Sequence, residues 1–479
     1  MNKNYMPAFL FASMVVSILS FTSNNSTKRF SKHISDTTPL AVKAKNHLGK
    51  NVVSADGVIS FSTGLENDFY QVDSVNKFIH LYVEAKLSRF LNDNVARIPL
   101  NISIVIDRSG SMEGIKMGYA KKAAKGIIDQ LKQDDIVSVV MYDTYIDTVQ
   151  SPTNVIDKEK IKVRIDKITP RASTNLWGGA EQGYQYVQKN YKPGFINRVL
   201  LISDGNANTG LTDSTLIHLK VQKYKDDNGV SISTFGVGLD YNETLMTDMA
   251  ETGAGNYYFI DAPDKMTNIF NNELKGLLNV AAQNAELKIK LPRGVGIQKS
   301  YPLNFKQEGD ELIIKLRDLS SDEIKASLFT FKIEDRINIP LKFVTTLSYT
   351  DVTNGQQKTL GNENLLIPTK KADDYLTHFN KQVLQQTILY TANERLETAM
   401  NLMEKGDYKK AQLYLADNNA YLKANAIYVS NDGNLMRLDS INNNYSSQYL
   451  KAESVSKDSV KKIQKLNKAV NYRIRNKKQ

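Results

Sequence analysis

The chain has 479 residues, 41% of them hydrophobic, which is enough for two or three domains with buried cores. It contains no cysteine, which excludes a disulfide framework, a zinc–thiolate site and a thiol nucleophile. The formal net charge is +11, but residues 451–479 hold ten Lys/Arg against two acidic residues, a net charge of +8. The rest of the chain is close to neutral, which argues against a nucleic-acid-binding domain.

The first residues have the pattern of an export signal. Lys3 precedes an apolar stretch, residues 7–21, that is shorter than the ~20 residues a membrane-spanning helix needs. We therefore predict a signal peptide over residues 1–23 and a flexible polar leader over 24–50. The protein is then exported, to the periplasm, the cell envelope or the cell surface. An uncleaved membrane anchor is the alternative interpretation of the same stretch.

Residues 51–281 show two successive patterns. Alternating apolar residues predict β-strands over residues 51–97, most clearly over 77–86. From residue 98, apolar strands alternate with amphipathic helices, predicted over residues 114–131, 158–168, 178–190, 213–225, 242–251 and 263–281. This alternation is typical of α/β folds with a doubly wound, mainly parallel sheet covered by helices on both faces, which we place over 98–281.

After residue 281 the pattern changes to short strands separated by turns, at residues 285–291, 311–316, 327–333 and 341–349. We predict a β-sandwich over residues 282–368, and we expect the strands of 51–97 to join it because they have no other partner. Residues 369–429 have helical spacing with a turn at Gly406 and Asp407, which predicts an antiparallel helical hairpin.

Residues 430–479 are predicted to be a linker followed by a basic tail. The Asn/Ser-rich composition of residues 430–447 favours a linker. For the tail two interpretations are open. One is a solvated, partly helical extension. The other is an amphipathic strip, with Val460, Ile463, Leu466 and Val470 among lysines, that contacts an anionic membrane surface.

The chemistry-bearing residues follow the first strand of the α/β unit. Asp107, Ser109 and Ser111 come directly after the apolar residues 102–106. Carboxylate and hydroxyl oxygens are hard ligands that suit Mg²⁺ or Mn²⁺. Ligands of open α/β sheets bind beyond the carboxyl ends of the strands. Taken alone, this pattern is equally compatible with capping of the following helix.

Two further polar loops favour a metal site over capping. Thr174 lies in a polar loop before a predicted helix, and Asp204 follows the apolar strand 197–203. The carboxyl ends of neighbouring parallel strands meet at one edge of a sheet. The three loops therefore bring five oxygen donors to one place.

These segments resemble the von Willebrand factor type A family and its metal-ion-dependent adhesion site. The resemblance rests on residues 107–112 (DRSGSM), 173–176 (STNL), 201–210 (LISDGNANTG) and 236–243 (GVGLDYNE). The last two segments look like exported bacterial members related to the inter-alpha-trypsin inhibitor heavy-chain architecture, in which a sandwich and a helical segment follow.

The resemblance implies a ligand set. Asp107, Ser109, Ser111, Thr174 and Asp204 are carried over as metal-site positions, the two serines binding through their hydroxyls and the others directly or through water. The family leaves one coordination position for an Asp or Glu of a partner protein. Two departures stand out: Ser203 replaces a common Thr, and Arg171-Ala172 replaces common glycines, which predicts a stiffer Thr174 loop.

We therefore expect a non-enzymatic, divalent-metal-dependent protein-binding or adhesion module with Mg²⁺ or Mn²⁺ as cofactor. A phosphatase-type reaction at Asp107 needs a second acidic residue two positions later, where this chain has Ser109. Neither a G-x-S-x-G elbow nor a P-loop is present in the sequence. The alternative hypothesis is a structural subunit or scaffold of a cell-envelope complex in which the metal site is not the recognition surface.

Overall fold

The computed structural model describes residues 48–74, 77–88, 97–204, 207–301, 305–320, 324–449 and 457–477. The predicted signal peptide and residues 24–47 of the predicted leader lie outside the described residues. Within the described ranges the chain forms seventeen strands: β1 (Val52–Ala55), β2 (Ile59–Leu65), β3 (Phe69–Gln71), β4 (Lys77–Leu87), β5 (Leu100–Asp107), β6 (Ile136–Tyr142), β7 (Ile146–Asn154), β8 (Ile196–Ser203), β9 (Ser231–Val237), β10 (Tyr257–Ile260), β11 (Val280–Lys290), β12 (Val295–Tyr301), β13 (Lys306–Glu308), β14 (Glu311–Ser320), β15 (Ile324–Ile333), β16 (Leu341–Asp351) and β17 (Gln357–Thr369).

Twelve α-helices occur in the same ranges: α1 (Ile115–Gln130), α2 (Lys158–Asp166), α3 (Leu176–Lys189), α4 (Ser214–Asn228), α5 (Glu243–Thr252), α6 (Met266–Leu278), α7 (Ala372–Thr377), α8 (Lys381–Glu404), α9 (Tyr408–Ala424), α10 (Ala426–Val429), α11 (Gly433–Tyr449) and α12 (Lys457–Arg475). None of these helices, in the part of the chain that is described, is both long and apolar enough to cross a membrane.

A six-stranded sheet with the order β10-β9-β8-β5-β6-β7 forms the α/β unit. Its strands are parallel except β7, which is antiparallel to β6. The central strands β5, β8 and β9 are buried throughout because helices cover both faces. Helices α1, α2 and α6 pack on one face, and α3, α4 and α5 pack on the other. The predicted doubly wound α/β fold is confirmed.

The strands on either side of the α/β unit form a two-sheet sandwich. One sheet has the order β1-β2-β4-β15-β12, and the other has the order β13-β14-β11-β16-β17-β3. Ten residue pairs align β4 with β15, so a strand before the α/β unit pairs with one after it. The α/β unit is therefore inserted in sequence between β4 and β11. The apolar sides of the two sheets share one core.

The C-terminal helices differ from the predicted linker. Helices α8 and α9 pair after a turn at Gly406, which has φ of 79°. Residues predicted to be a linker form α11, whose Leu435, Leu438 and Tyr445 are fully buried against α8 and α9. The Asn/Ser-rich composition concealed this helical spacing. One of its asparagines, Asn442, is buried and accepts a hydrogen bond from Asn418 at 3.0 Å.

For residues 457–477 the interpretation as a solvated, partly helical extension is right about the helix and wrong about its exposure. They form α12, which packs against both the α/β unit and α8. The hydroxyl of Tyr472 accepts a hydrogen bond from the Tyr257 amide at 3.1 Å. Basic side chains of α12 face acidic side chains of the same chain, in the ion pairs Lys461–Asp240 at 3.1 Å, Lys468–Glu404 at 2.5 Å and Arg475–Glu397 at 2.6 Å. Much of the positive charge that the composition assigned to a tail is therefore paired with acidic residues of the same chain.

Candidate metal-binding site

The predicted site residues lie at the carboxyl-terminal edge of the sheet. Asp107 is the last residue of β5, and Asp204 directly follows β8, the strand beside it. Between β5 and α1 the chain makes one short 3₁₀ turn, Gly110–Met112, which contains Ser111. Thr174 directly precedes Asn175, the residue that caps the amino terminus of α3. The fold brings the three predicted loops together at one edge.

Four of the five predicted residues form one hydrogen-bonded cluster. The hydroxyls of Ser109 and Ser111 lie 3.1 Å apart, and the Ser111 hydroxyl donates to Asp204 Oδ1 at 2.8 Å. Asp107 Oδ1 accepts from the Ser109 amide at 2.8 Å. Both aspartates are fully buried and Ser111 is exposed, so the cluster opens to solvent on the Ser111 side.

Ser203 has a role that its position in the sequence alone did not assign. Its hydroxyl donates to Asp107 Oδ2 at 2.7 Å. Together with the Ser109 amide it holds the Asp107 carboxylate in one orientation. A threonine at this position would offer the same hydroxyl donor to Asp107.

Thr174, the fifth predicted residue, is tied to the other two loops through the backbone. Its amide donates to the Asn208 side chain at 2.9 Å, and its carbonyl accepts from the Asn208 amide at 3.1 Å. The Gly110 amide donates to the Ala172 carbonyl at 3.1 Å. Sequence reasoning missed Asn208. The sequence feature that could have pointed to Asn208 is its place as a second polar residue in the turn-rich segment after Asp204.

Two arginine–aspartate pairs hold the Thr174 loop beside β5. Arg108 and Arg171 both contact Asp143, at 2.9 and 2.7 Å, and the Arg171 amide donates to the Arg108 carbonyl at 2.7 Å. Burial raises the pKa of Asp143, but the Tyr145 amide and the Arg171 side chain outweigh it, and the pKa lies below its ordinary value. Ala172 has φ of 58°, a left-handed backbone that glycine adopts more easily. These contacts give a physical basis for the predicted stiff loop.

The cluster contains two buried carboxylates and one partly exposed ammonium group. Burial, with a smaller contribution from the nearby negative charge of Asp204, raises the pKa of Asp107 to about 6 against the hydrogen bonds from Ser109 and Ser203. Asp204 forms an ion pair with Lys116, whose ammonium also donates to the Ser111 carbonyl at 3.2 Å. A cation between the two carboxylates would favour the ionised form of Asp107.

The donor set fits a small hard cation. In an octahedral Mg²⁺ site with bonds of ~2.0–2.1 Å, adjacent ligand oxygens lie about 3 Å apart. The Ser109 and Ser111 hydroxyls, 3.1 Å apart, already have this spacing. Across the described ranges, no group of three or more His, Cys, Asp and Glu could hold a metal. The candidate site instead combines two carboxylates with neutral hydroxyls.

Comparisons with known proteins identify the family of the α/β unit. The family model for the von Willebrand factor type A domain matches residues 101–272. YfbK of Escherichia coli (strain K12) is 32% identical over 192 residues, 40% of this chain and 33% of YfbK. Inter-alpha-trypsin inhibitor heavy chain H2 of Mus musculus is 27% identical over 215 residues, 43% of this chain and 22% of that protein. The matched region therefore spans a third or less of both relatives.

A solved structure shares most of the architecture. The von Willebrand factor type A protein from Catenulispora acidiphila superposes with a TM-score of 0.65, covering 82% of this chain and 92% of the other. Sequence identity over the aligned residues is 16%, so this similarity shows the fold alone. The shared fold extends well beyond the α/β unit.

Proposed function

Because residues 101–272 form a von Willebrand factor type A domain, a family of protein-interaction and adhesion modules, we propose that this chain binds a partner protein through a divalent cation. Asp107, Ser109, Ser111, Thr174 and Asp204 would hold Mg²⁺ or Mn²⁺. An Asp or Glu of the partner would complete the coordination. The proposed role is binding without chemical turnover of the partner.

One observation carries this proposal: the Ser109 and Ser111 hydroxyls lie 3.1 Å apart, and the Ser111 hydroxyl lies 2.8 Å from Asp204 Oδ1, on the open side of the sheet edge. This chain's residues would orient the cation by hydroxyl oxygens and balance its charge with two buried aspartates. A cation that keeps exchangeable water leaves a position for a carboxylate. When bound, the cation supplies a Lewis-acidic attachment point for that carboxylate.

Metal-dependent capture tests the proposal. Immobilised protein is incubated with envelope extract in Mg²⁺ or in EDTA, and the retained proteins are compared. We expect at least one partner that EDTA releases and that added Mg²⁺ restores. If every retained partner stays bound in EDTA, the metal site is not the recognition surface. The scaffold hypothesis then replaces this one.

We further propose that the protein is exported, on the basis of Lys3 and the apolar residues 7–21. Mass spectrometry of the native amino terminus is expected to show that about the first two dozen residues are absent. An intact Met1 in the cytoplasmic fraction would contradict export.

A contact between α12 and an anionic membrane surface is a further part of the proposal. Its support is the exposed face of α12, where Lys462, Leu466 and Arg473 follow one another at helical spacing. We expect salt-sensitive binding to phosphatidylserine vesicles that the double variant Lys462→Glu/Arg473→Glu loses. Equal binding of wild type and variant at low salt would exclude this contact.

A further inference from the structure

Lys116 is a basic residue inside the candidate site that none of the site predictions includes. It lies in the first turn of α1, five residues after Ser111. Its ammonium contacts Asp204, which is fully buried, and donates to the Ser111 carbonyl at 3.2 Å. The Lys116 side chain is about a quarter exposed, at 27%. The ammonium therefore bridges two of the three metal-site loops from their solvent side.

The loop after β9 leaves room for this lysine. Gly238 has φ of +80°, and a Cβ atom there would lie 3.2 Å from Lys116 Cε and 3.4 Å from its ammonium. A larger residue at position 238 would therefore crowd the side chain. The Lys116 side chain therefore lies beside Gly238 as well as pairing with Asp204.

The charge of Lys116 changes the net charge of the cluster before and after it binds a divalent cation. Asp107, Asp204 and Lys116 together carry a formal charge of −1. The neighbouring Arg108, Arg171, Asp143 and Asp147 cancel one another. A divalent cation brings the cluster to +1, and one carboxylate from a partner brings it to zero. Without Lys116 the metal-loaded cluster would already be neutral before a partner arrived.

We propose that Lys116 competes with the divalent cation for Asp204 and so couples metal binding to binding of an acidic partner. This inference rests on the proposed function. Lys116 holds the affinity for free metal down and leaves the metal-loaded site with a positive charge that favours a carboxylate ligand. It acts through Asp204 and is a positioning residue rather than a metal ligand.

Calorimetry with Mg²⁺ alone tests this proposal on the full chain. We expect Lys116→Gln to bind Mg²⁺ about tenfold more tightly than wild type, because a unit charge within a few ångströms opposes a divalent cation by more than thermal energy even at the dielectric of water. Lys116→Arg, which keeps the charge, should not gain affinity. Lys122→Gln removes the same charge from an exposed position on the same helix and should match wild type.

Thermal unfolding supplies a second readout. In EDTA, Lys116→Gln should melt at a lower temperature than Lys122→Gln, because Asp204 loses its counter-ion in a buried place. With Mg²⁺ its melting temperature should rise by more than that of wild type. If the wild type binds Mg²⁺ and Lys116→Gln binds it with equal or lower affinity, the proposed role of Lys116 is wrong. A wild type that binds neither Mg²⁺ nor Mn²⁺ would instead overturn the metal site itself.

Discussion

Replacing Asp107 with asparagine is expected to abolish Mg²⁺ and Mn²⁺ binding and to raise the stability of the metal-free protein. Asp107 is fully buried, and its pKa is raised from 3.8 to about 6, chiefly by burial. At pH 7 the ionised carboxylate then lowers the free energy of unfolding by about 3 kcal/mol, at 1.36 kcal/mol per pKa unit. Asparagine removes that charge but keeps an oxygen for the Ser109 amide.

The pH dependence of this effect has a definite sign. A carboxylate whose pKa is higher in the folded state stabilises the fold below its unfolded pKa, and this contribution is lost as pH rises through the folded pKa. The stability difference between Asp107→Asn and wild type should therefore grow from about pH 4 to about pH 6 and level off above it. Urea unfolding in EDTA across this range measures it.

Asp135 offers a matched control at the other end of β5. It is also fully buried, but its carboxylate pairs with Arg97 and accepts from the Leu100 amide at 2.8 Å. Asp135→Asn should lower the free energy of unfolding by about 3 kcal/mol, because it leaves the partly buried Arg97 guanidinium without its counter-charge. It should leave metal binding intact. Opposite stability effects of the two Asp→Asn changes would separate a functional carboxylate from a structural one.

Added metal completes the test of Asp107. Wild type should gain about 2.7 kcal/mol at a free Mg²⁺ concentration 100 times Kd, because the three loops assemble only in the folded chain. Asp107→Asn should gain nothing. Identical calorimetric binding by both proteins would show that the ligand assignment is wrong.

Replacing Arg475 with alanine is expected to lower the free energy of unfolding by about 3 kcal/mol. The guanidinium donates to both carboxylate oxygens of Glu397 in α8 at 2.6 Å, and it contacts Glu251 in α5. It therefore links the α/β unit to the C-terminal helices. Without it, two partly buried carboxylates face each other, and truncating one partner of such a network typically costs several kcal/mol. Burial raises the pKa of Glu397 even with the arginine beside it.

Arg473 is the control for Arg475, because it lies two residues earlier in α12 and is exposed. Arg473→Ala should change the free energy of unfolding by less than about 0.5 kcal/mol. Urea titration of both variants decides the comparison. Comparable effects of the two changes would mean that the link through Arg475 does not contribute to stability.

The local sequence pattern predicts the fold class and the candidate site positions. Strand and helix periodicities depend on neighbouring residues, so the alternation over residues 98–281 already predicts the doubly wound sheet. The carboxyl ends of parallel strands share one edge, so Asp107 and Asp204 could be assigned to one place without coordinates. Strand β17 and helix α11 escaped prediction because polar residues masked their periodicity.

Tertiary contacts determine how those positions are supported and where the C-terminal charge lies. Asn208 holds the Thr174 loop, Ser203 orients Asp107, and Lys116 pairs with Asp204. Each of these contacts joins residues far apart in sequence, and no local pattern specifies it. Composition likewise gives the number of charges in α12 but not their partners. Because Arg475 pairs with Glu251 and Glu397, the segment that looked like a basic tail connects two parts of the fold. Periodicity is a local property of the chain, whereas burial and pairing arise only when the folded surfaces meet.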